Sequence, residues 1–310
     1  MRVLRATGMS LMAAIVAVPL LSACGGPPGL MGSESSFTYC DNGGIAETLN
    51  VYEPSPPPRS APAVVDIHGG GWVSGDANLQ PQTVDWDVEP ALVGKGWVFV
   101  SINYRLAPSS PWPAQLEDAK CAIRFLRANA PALHIDPSRI GVIGASAGGQ
   151  LASMLGLTGQ PSEAGQFEEG RYLSQSSAVE AVVDEYGPTD LTSPDWSSSR
   201  YLEILSKETF GEEVGQQSPA LVAASPVASI HPGAPPFLVI QGAEDKIVPP
   251  SQSTELVRRL EKAGDVATLV TVQHAGHGLV QTGQGPVTPD VASLASEVVG
   301  FLTRQLSGPR

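Results

Sequence analysis

The sequence predicts an α/β protein, a mostly parallel sheet with helices on both faces. Three observations predict it. Short runs of apolar residues recur at residues 63–67, 97–104, 140–143, 178–186, 237–240 and 266–272, as strands buried on both faces do. Between several of them, apolar residues fall at helical spacing, as in Leu116, Ala119, Ile123 and Leu126. Such alternation builds a parallel sheet joined by helical crossovers. Finally, 310 residues that are 42% hydrophobic and 16% charged suffice for a full core, and 33 glycines with 28 prolines leave room for many loops.

Taken in order, the chain starts with Arg2 and Arg5, an apolar run over residues 9–21, and then Leu21-Ser-Ala-Cys24-Gly-Gly. The run is short for a membrane span. The stretch resembles a bacterial lipoprotein signal, which implies cleavage of residues 1–23 and lipid on the sulfur and amine of Cys24. An ordinary secretory signal cleaved nearby is the alternative. Either way the protein is expected to be exported. A lipidated Cys24 would make the membrane a partner and place the chain on the extracytoplasmic side of the cell envelope. Residues 24–36, rich in Gly, Pro and Ser, read as a flexible tether, and residues 37–310 as the folded domain.

Within that domain, residues 46–52 are strand-like and the proline-rich residues 53–60 a loop. The strand at 63–67 runs directly into His68-Gly-Gly-Gly-Trp72. After the strand at 97–104, Pro113 is suited to open a helix, where a missing N–H costs no hydrogen bond. Residues 150–157 and 251–263 are helical, and residues 290–306 close the domain with Val291, Leu294, Val298 and Phe301 on one face. One long, polar, proline-studded insertion, about residues 189–236 with a helical patch at 201–207, interrupts the alternation and reads as a lid or substrate loop.

Chemistry concentrates at the ends of the predicted strands. Gly144-Ala-Ser146-Ala-Gly148 follows the strand at 140–143 and precedes a helix, the arrangement that exposes a serine hydroxyl on a strained turn at a helix N-terminus. The plain alternative is an ordinary strand-to-helix turn. Such a serine needs a base. Of five histidines, His274 and His277 follow the last strand, and His277, between Gly276 and Gly278, is the better placed. The imidazole needs a carboxylate to fix its tautomer, and Asp245, with Glu244 as the alternative, follows the strand at 237–240. Either acid could instead only cap the next helix. The N–H groups of Gly70, Gly71 and Ala147 are candidate donors to an oxyanion, and His68 reads as a structural hydrogen-bonder.

The chain resembles the α/β-hydrolase superfamily over about residues 51–306, and within it the esterases related to hormone-sensitive lipase. The matching words are His68-Gly-Gly-Gly-Trp72, Tyr104-Arg-Leu-Ala-Pro108, Pro113-Ala-Gln-Leu-Glu-Asp118 and Gly144-Ala-Ser-Ala-Gly-Gly149. The acid departs from that branch's Asp-Pro-Leu-x-Asp pattern. Gly242-Ala-Glu-Asp245-Lys-Ile-Val-Pro249 looks more like the bacterial feruloyl and acetylxylan esterases, while the first word also satisfies a kynurenine-formamidase pattern. The resemblance implies an eight-stranded sheet with its lid after the sixth strand, and a serine carboxylesterase using Ser146, His277 and Asp245. It implies no cofactor and a small-molecule or glycan ester as substrate. An arylformamidase-type amide hydrolase and a non-catalytic binding module of the same fold are the alternatives.

Bulk properties narrow the field further. A formal net charge of −13 argues against nucleic-acid binding, which needs a basic face. Beyond Cys24, Cys40 and Cys121 remain, and in an exported protein they permit one disulfide, although Cys121 also fits a buried helix face. No Cys-x-x-Cys or His-Glu-x-x-His spacing supports a metal site.

Overall fold

The computed structural model describes residues 32–42, 44–81, 83–159, 166–196 and 200–308. The expected signal at residues 1–23, Cys24 and most of the tether lie outside the described residues. Among the described residues, eight strands form one sheet: β1 (Ser33–Asn42), β2 (Ile45–Glu53), β3 (Ala61–Ile67), β4 (Val98–Ile102), β5 (Ile135–Ala145), β6 (Ala181–Glu185), β7 (Phe237–Gly242) and β8 (Ala267–Val272). Their order across the sheet is β1-β2-β4-β3-β5-β6-β7-β8. The β1–β2 and β2–β4 pairs are antiparallel and the remaining pairs parallel.

The central strands are buried along their whole length, as continuous apolar runs dictate. On one face pack α2 (Ala114–Ala128), α3 (Ala147–Thr158) and α6 (Ser251–Ala263); on the other, α1 (Val84–Val93) and α7 (Val291–Leu306). The ends of these helices are set by their own residues. Asp290 caps α7 by accepting the N–H of Ser293 at 2.8 Å, and Gly264 ends α6 in the left-handed conformation at φ 93°. Helix α1 has no sequence expectation above, because Pro90 and three acids blur any apolar stripe in it. Among the described residues no helix is long and apolar enough to cross a membrane.

The insertion follows β6 and carries α4 (Arg200–Phe210) and α5 (Pro219–Ala223). The tether reading needs correction at its end. Residues Ser33 to Ser36 belong to β1, paired with Asn50 to Glu53 of β2. Composition gave no hint, because this edge strand is held by backbone hydrogen bonds while its first side chains stay exposed. Strand β1 is also the one strand with no expectation of its own in the sequence. It is tied to α2 by a Cys40–Cys121 disulfide with Cα atoms 6.3 Å apart, both cysteines being fully buried.

Candidate active site

Strand β5 ends at Ala145, and α3 starts at Ala147, so Ser146 alone makes the turn, at φ 56° and ψ −117°. That strained conformation is held by the Ser146 N–H donating to the Glu185 carbonyl at 2.8 Å. Gly148 is obligatory here: a Cβ on it would lie 1.9 Å from the carbonyl oxygen of Ile67. The close approach of strand and helix therefore forces the pattern of small residues seen in the sequence.

The Ser146 hydroxyl reaches His277 Nε2 at 2.9 Å. The Nδ1–H of His277 donates to Asp245 Oδ2 at 2.8 Å, which leaves Nε2 as the acceptor for the serine proton. Asp245 is itself fixed. Its Oδ1 accepts the backbone N–H groups of Ile247 at 2.8 Å and Val248 at 3.0 Å, and its Oδ2 also accepts from Gln241 Nε2 at 3.3 Å. The alternatives pair with each other at the rim instead: His274 Nδ1 is 3.5 Å from Glu244, both about half exposed, and Glu244 also accepts from Thr282.

Facing the hydroxyl, the loop that leaves β3 turns through left-handed backbone that glycine adopts without strain: Gly70 and Gly71 sit at φ 110° and 62°. Their N–H groups, and that of Ala147 at the start of α3, find no acceptor among the described residues. The other sequence motifs hold this loop. The Tyr104 hydroxyl donates to the His68 carbonyl at 3.0 Å, and its ring stacks on the His68 ring at 4.1 Å. The Ala107 N–H donates to the Trp72 carbonyl at 3.0 Å, and Arg105 binds Asp118 at 2.8 Å. Trp72 Nε1–H donates to Gln150 at 3.0 Å, which locks the loop to α3.

Ser146, His277, Ala147 and the glycine loop border a cavity of about 470 Å³. The insertion supplies Leu191, Trp196, Leu205 and Val214 to its apolar wall. The lining also includes His68, Asp66 and Asp85. Tyr186, just after β6, also lines the cavity and packs edge-on against His277 at 5.1 Å. Sequence reasoning missed Asp66, Asp85 and Tyr186. A signal was present for Asp66, the lone acid in the otherwise apolar run of β3. Tyr186 and Asp85 carry no local sign of their position.

Known proteins share both the sequence pattern and the sheet. The BD-FAE family model matches residues 49–260. Esterase LipC of Mycobacterium tuberculosis is 32% identical over 250 residues, covering 78% of this chain and 60% of the relative. Esterase LipQ of the same organism is 31% identical over 259 residues, covering 82% of this chain and 58% of the relative. The chain thus spans less than two thirds of the length of these curated relatives. Among solved structures, a truncated carbohydrate esterase from gut microbiota superposes with a TM-score of 0.76 at 28% identity, covering 91% of this chain and all of that one. A thermophilic esterase of Thermogutta terrifontis in its native form gives 0.66 at 27% identity, covering 89% of this chain and 92% of that one. With an α/β-hydrolase sheet and a family match running from β2 into α6, the chain belongs to the BD-FAE family.

Proposed function

We propose that the protein is a serine carboxylic-ester hydrolase in which Ser146, His277 and Asp245 form the catalytic triad. The unbroken hydrogen-bond line from Ser146 through His277 to Asp245, facing three unengaged N–H groups, carries this reading. Ser146 Oγ attacks the ester carbonyl carbon as His277 Nε2 takes its proton. The oxyanion that forms is stabilised by the N–H groups of Gly70, Gly71 and Ala147. The C–O bond to the alcohol then breaks, and the imidazolium returns the proton to the departing oxygen. Water, deprotonated by the same imidazole, attacks the acyl carbon; the bond to Ser146 Oγ breaks, the imidazolium returns its proton to Oγ, and the acid is released. The esterase relatives and the carbohydrate-esterase neighbour support an ester substrate, and small or carbohydrate-linked acyl groups suit the cavity.

Replacing Ser146 with alanine should lower kcat for p-nitrophenyl acetate by about six orders of magnitude. A variant that kept most of its activity, or a wild-type protein that a fluorophosphonate probe left unlabelled at Ser146, would refute the assignment.

We further propose that the protein is an exported lipoprotein anchored through Cys24. The buried Cys40–Cys121 disulfide supports an oxidising destination. The intact mass of the mature protein should correspond to a chain beginning at Cys24 and carrying acyl groups. A mature chain that retained residues 1–23 would exclude the anchor.

A further inference from the structure

At one end of the cavity three carboxyl side chains meet without a basic partner among the described residues. Asp66 comes from β3, Asp85 from the first turn of α1 and Glu185 from the end of β6. They are 4%, 8% and 1% exposed. Asp66 and Asp85 line the cavity, and the Glu185 carboxyl is close enough to feel the charge of both. None of the three has an ion-pair partner among the described residues. Asp66 Oδ2 accepts from Ser101 Oγ at 2.8 Å, but Asp66 Oδ1, Asp85 Oδ1 and Glu185 Oε1 are buried with no hydrogen-bond partner among the described residues. The Nε2 atom of His68 shares that condition. Its Nδ1–H donates to the Gly69 carbonyl at 2.7 Å, so Nε2 is one more acceptor.

Buried oxygens left unpaired are costly, and buried acids without a cation are more so. Burial, reinforced by the Asp85 carboxyl, pushes Asp66 well up. Burial pushes Asp85 up to about 7, and burial with the neighbouring Asp85, Asp66 and Asp184 carboxyls pushes Glu185 well up. Among the described residues the groups around them bring no basic partner: Glu89 on α1 is raised to about 7 by burial, and burial lowers His68. This end of the cavity is therefore rich in acceptors and responsive to any cation that enters.

Its position assigns it to one half of the ester. The alcohol takes its proton from His277 and so departs on that side. Tyr186 packs against His277, and its phenol is pushed well up by burial and then by the Glu185, Asp85, Asp245 and Asp66 carboxyls. The Tyr186 ring thus joins the imidazole to the carboxyl cluster, whereas the apolar wall is supplied by the insertion. We propose that Asp66 and Asp85 form a subsite for a protonated amine carried on the alcohol half of the ester, so that amino-alcohol esters are preferred over their uncharged isosteres. This rests on the esterase reading above and extends it to a substrate class. The ammonium would give its N–H to the carboxyl of Asp66 or Asp85, and its charge would favour the ionised form of both.

The test compares 2-(dimethylamino)ethyl acetate with 3-methylbutyl acetate, its uncharged isostere, and with glyceryl monoacetate as a neutral polyol ester, all near neutral pH. We expect kcat/KM for the amino ester to exceed that for the isostere by about tenfold or more. That ratio should fall toward one in Asp66→Asn and in Asp85→Asn, and because each variant is its own reference, general losses cancel. A wild-type ratio of one or less, a preference for the polyol ester over the amino ester, or a ratio unchanged in both variants overturns the proposal. The wild-type comparison stands even where a variant fails to fold. Binding of 2-(dimethylamino)ethanol, followed by ligand-observed NMR titration, decides the subsite independently of turnover. Tighter binding than 3-methylbutanol supports it, and equal or absent binding overturns it. A protein that cleaves none of the esters would defeat the hydrolase reading, while this titration would still decide the subsite.

Discussion

Asp245 and Asp66 are buried to nearly the same depth, 5% and 4% exposed, and border the same reaction site, yet their surroundings differ completely. Asp245 receives an imidazole N–H, two backbone N–H groups and a side-chain amide. Asp66 receives one hydroxyl and is flanked by other acids. The first carboxyl is surrounded by hydrogen-bond donors. The second is surrounded by groups that favour its protonated form. Depth alone therefore says little about a buried acid; the partners decide what it can do.

The largest effect that would test this contrast is catalytic. Asp245→Asn should lower kcat by about four orders of magnitude, since an amide in place of the carboxylate cannot hold the same imidazole tautomer. Asp66→Asn should cost at least about a hundredfold less on the same p-nitrophenyl ester, because Asp66 does not touch His277. Comparable losses in the two variants would erase the distinction.

Stability should separate the two regions next. A carboxyl whose pKa is raised by folding binds a proton that the unfolded chain gives up. Its contribution is therefore complete below the ordinary carboxylate range and is lost as pH rises through the folded value. Asp85 and Glu89, both raised to about 7, and Asp184, raised to about 6, put that loss between about pH 4 and pH 7, and Asp66 and Glu185, also raised, add to it with the same sign. Thermal unfolding followed across pH should show Tm declining from about pH 4 to about pH 7. A Tm that rose over this range would contradict the protonated state of the cluster.

The smallest effect isolates a single group. Asp66→Asn keeps an acceptor for Ser101 and removes one ionisation, so its Tm should decline less with pH than that of the wild type, by a few degrees at about pH 8. Identical slopes for the two proteins would remove Asp66 from the cluster that sets the dependence.

Much of the site was legible because its demands are local. A serine on a turn between strand and helix needs small neighbours, and Gly144-Ala-Ser146-Ala-Gly148 states that need within five residues. Gly70 and Gly71 announce left-handed backbone in the same way. Other features left weaker marks. Strand β1 escaped because its pairing with β2 depends on backbone groups that composition does not report. Helix α1 escaped because it buries two acids where an apolar stripe is the usual sign.

The sequence by itself determined the alternation of strands and helices, the turn that presents Ser146, and the glycine loop that faces it, since short-range sterics and apolar periodicity govern all three. Only the tertiary structure decided that His277 and Asp245 line up behind the serine while His274 and Glu244 pair at the rim. It alone drew Asp66, Asp85 and Glu185 from three separate elements into one acidic cluster, two of whose members line the cavity. Hydrogen-bond partners and the loss of water are set by neighbours distant in the chain, and a one-dimensional pattern does not carry them.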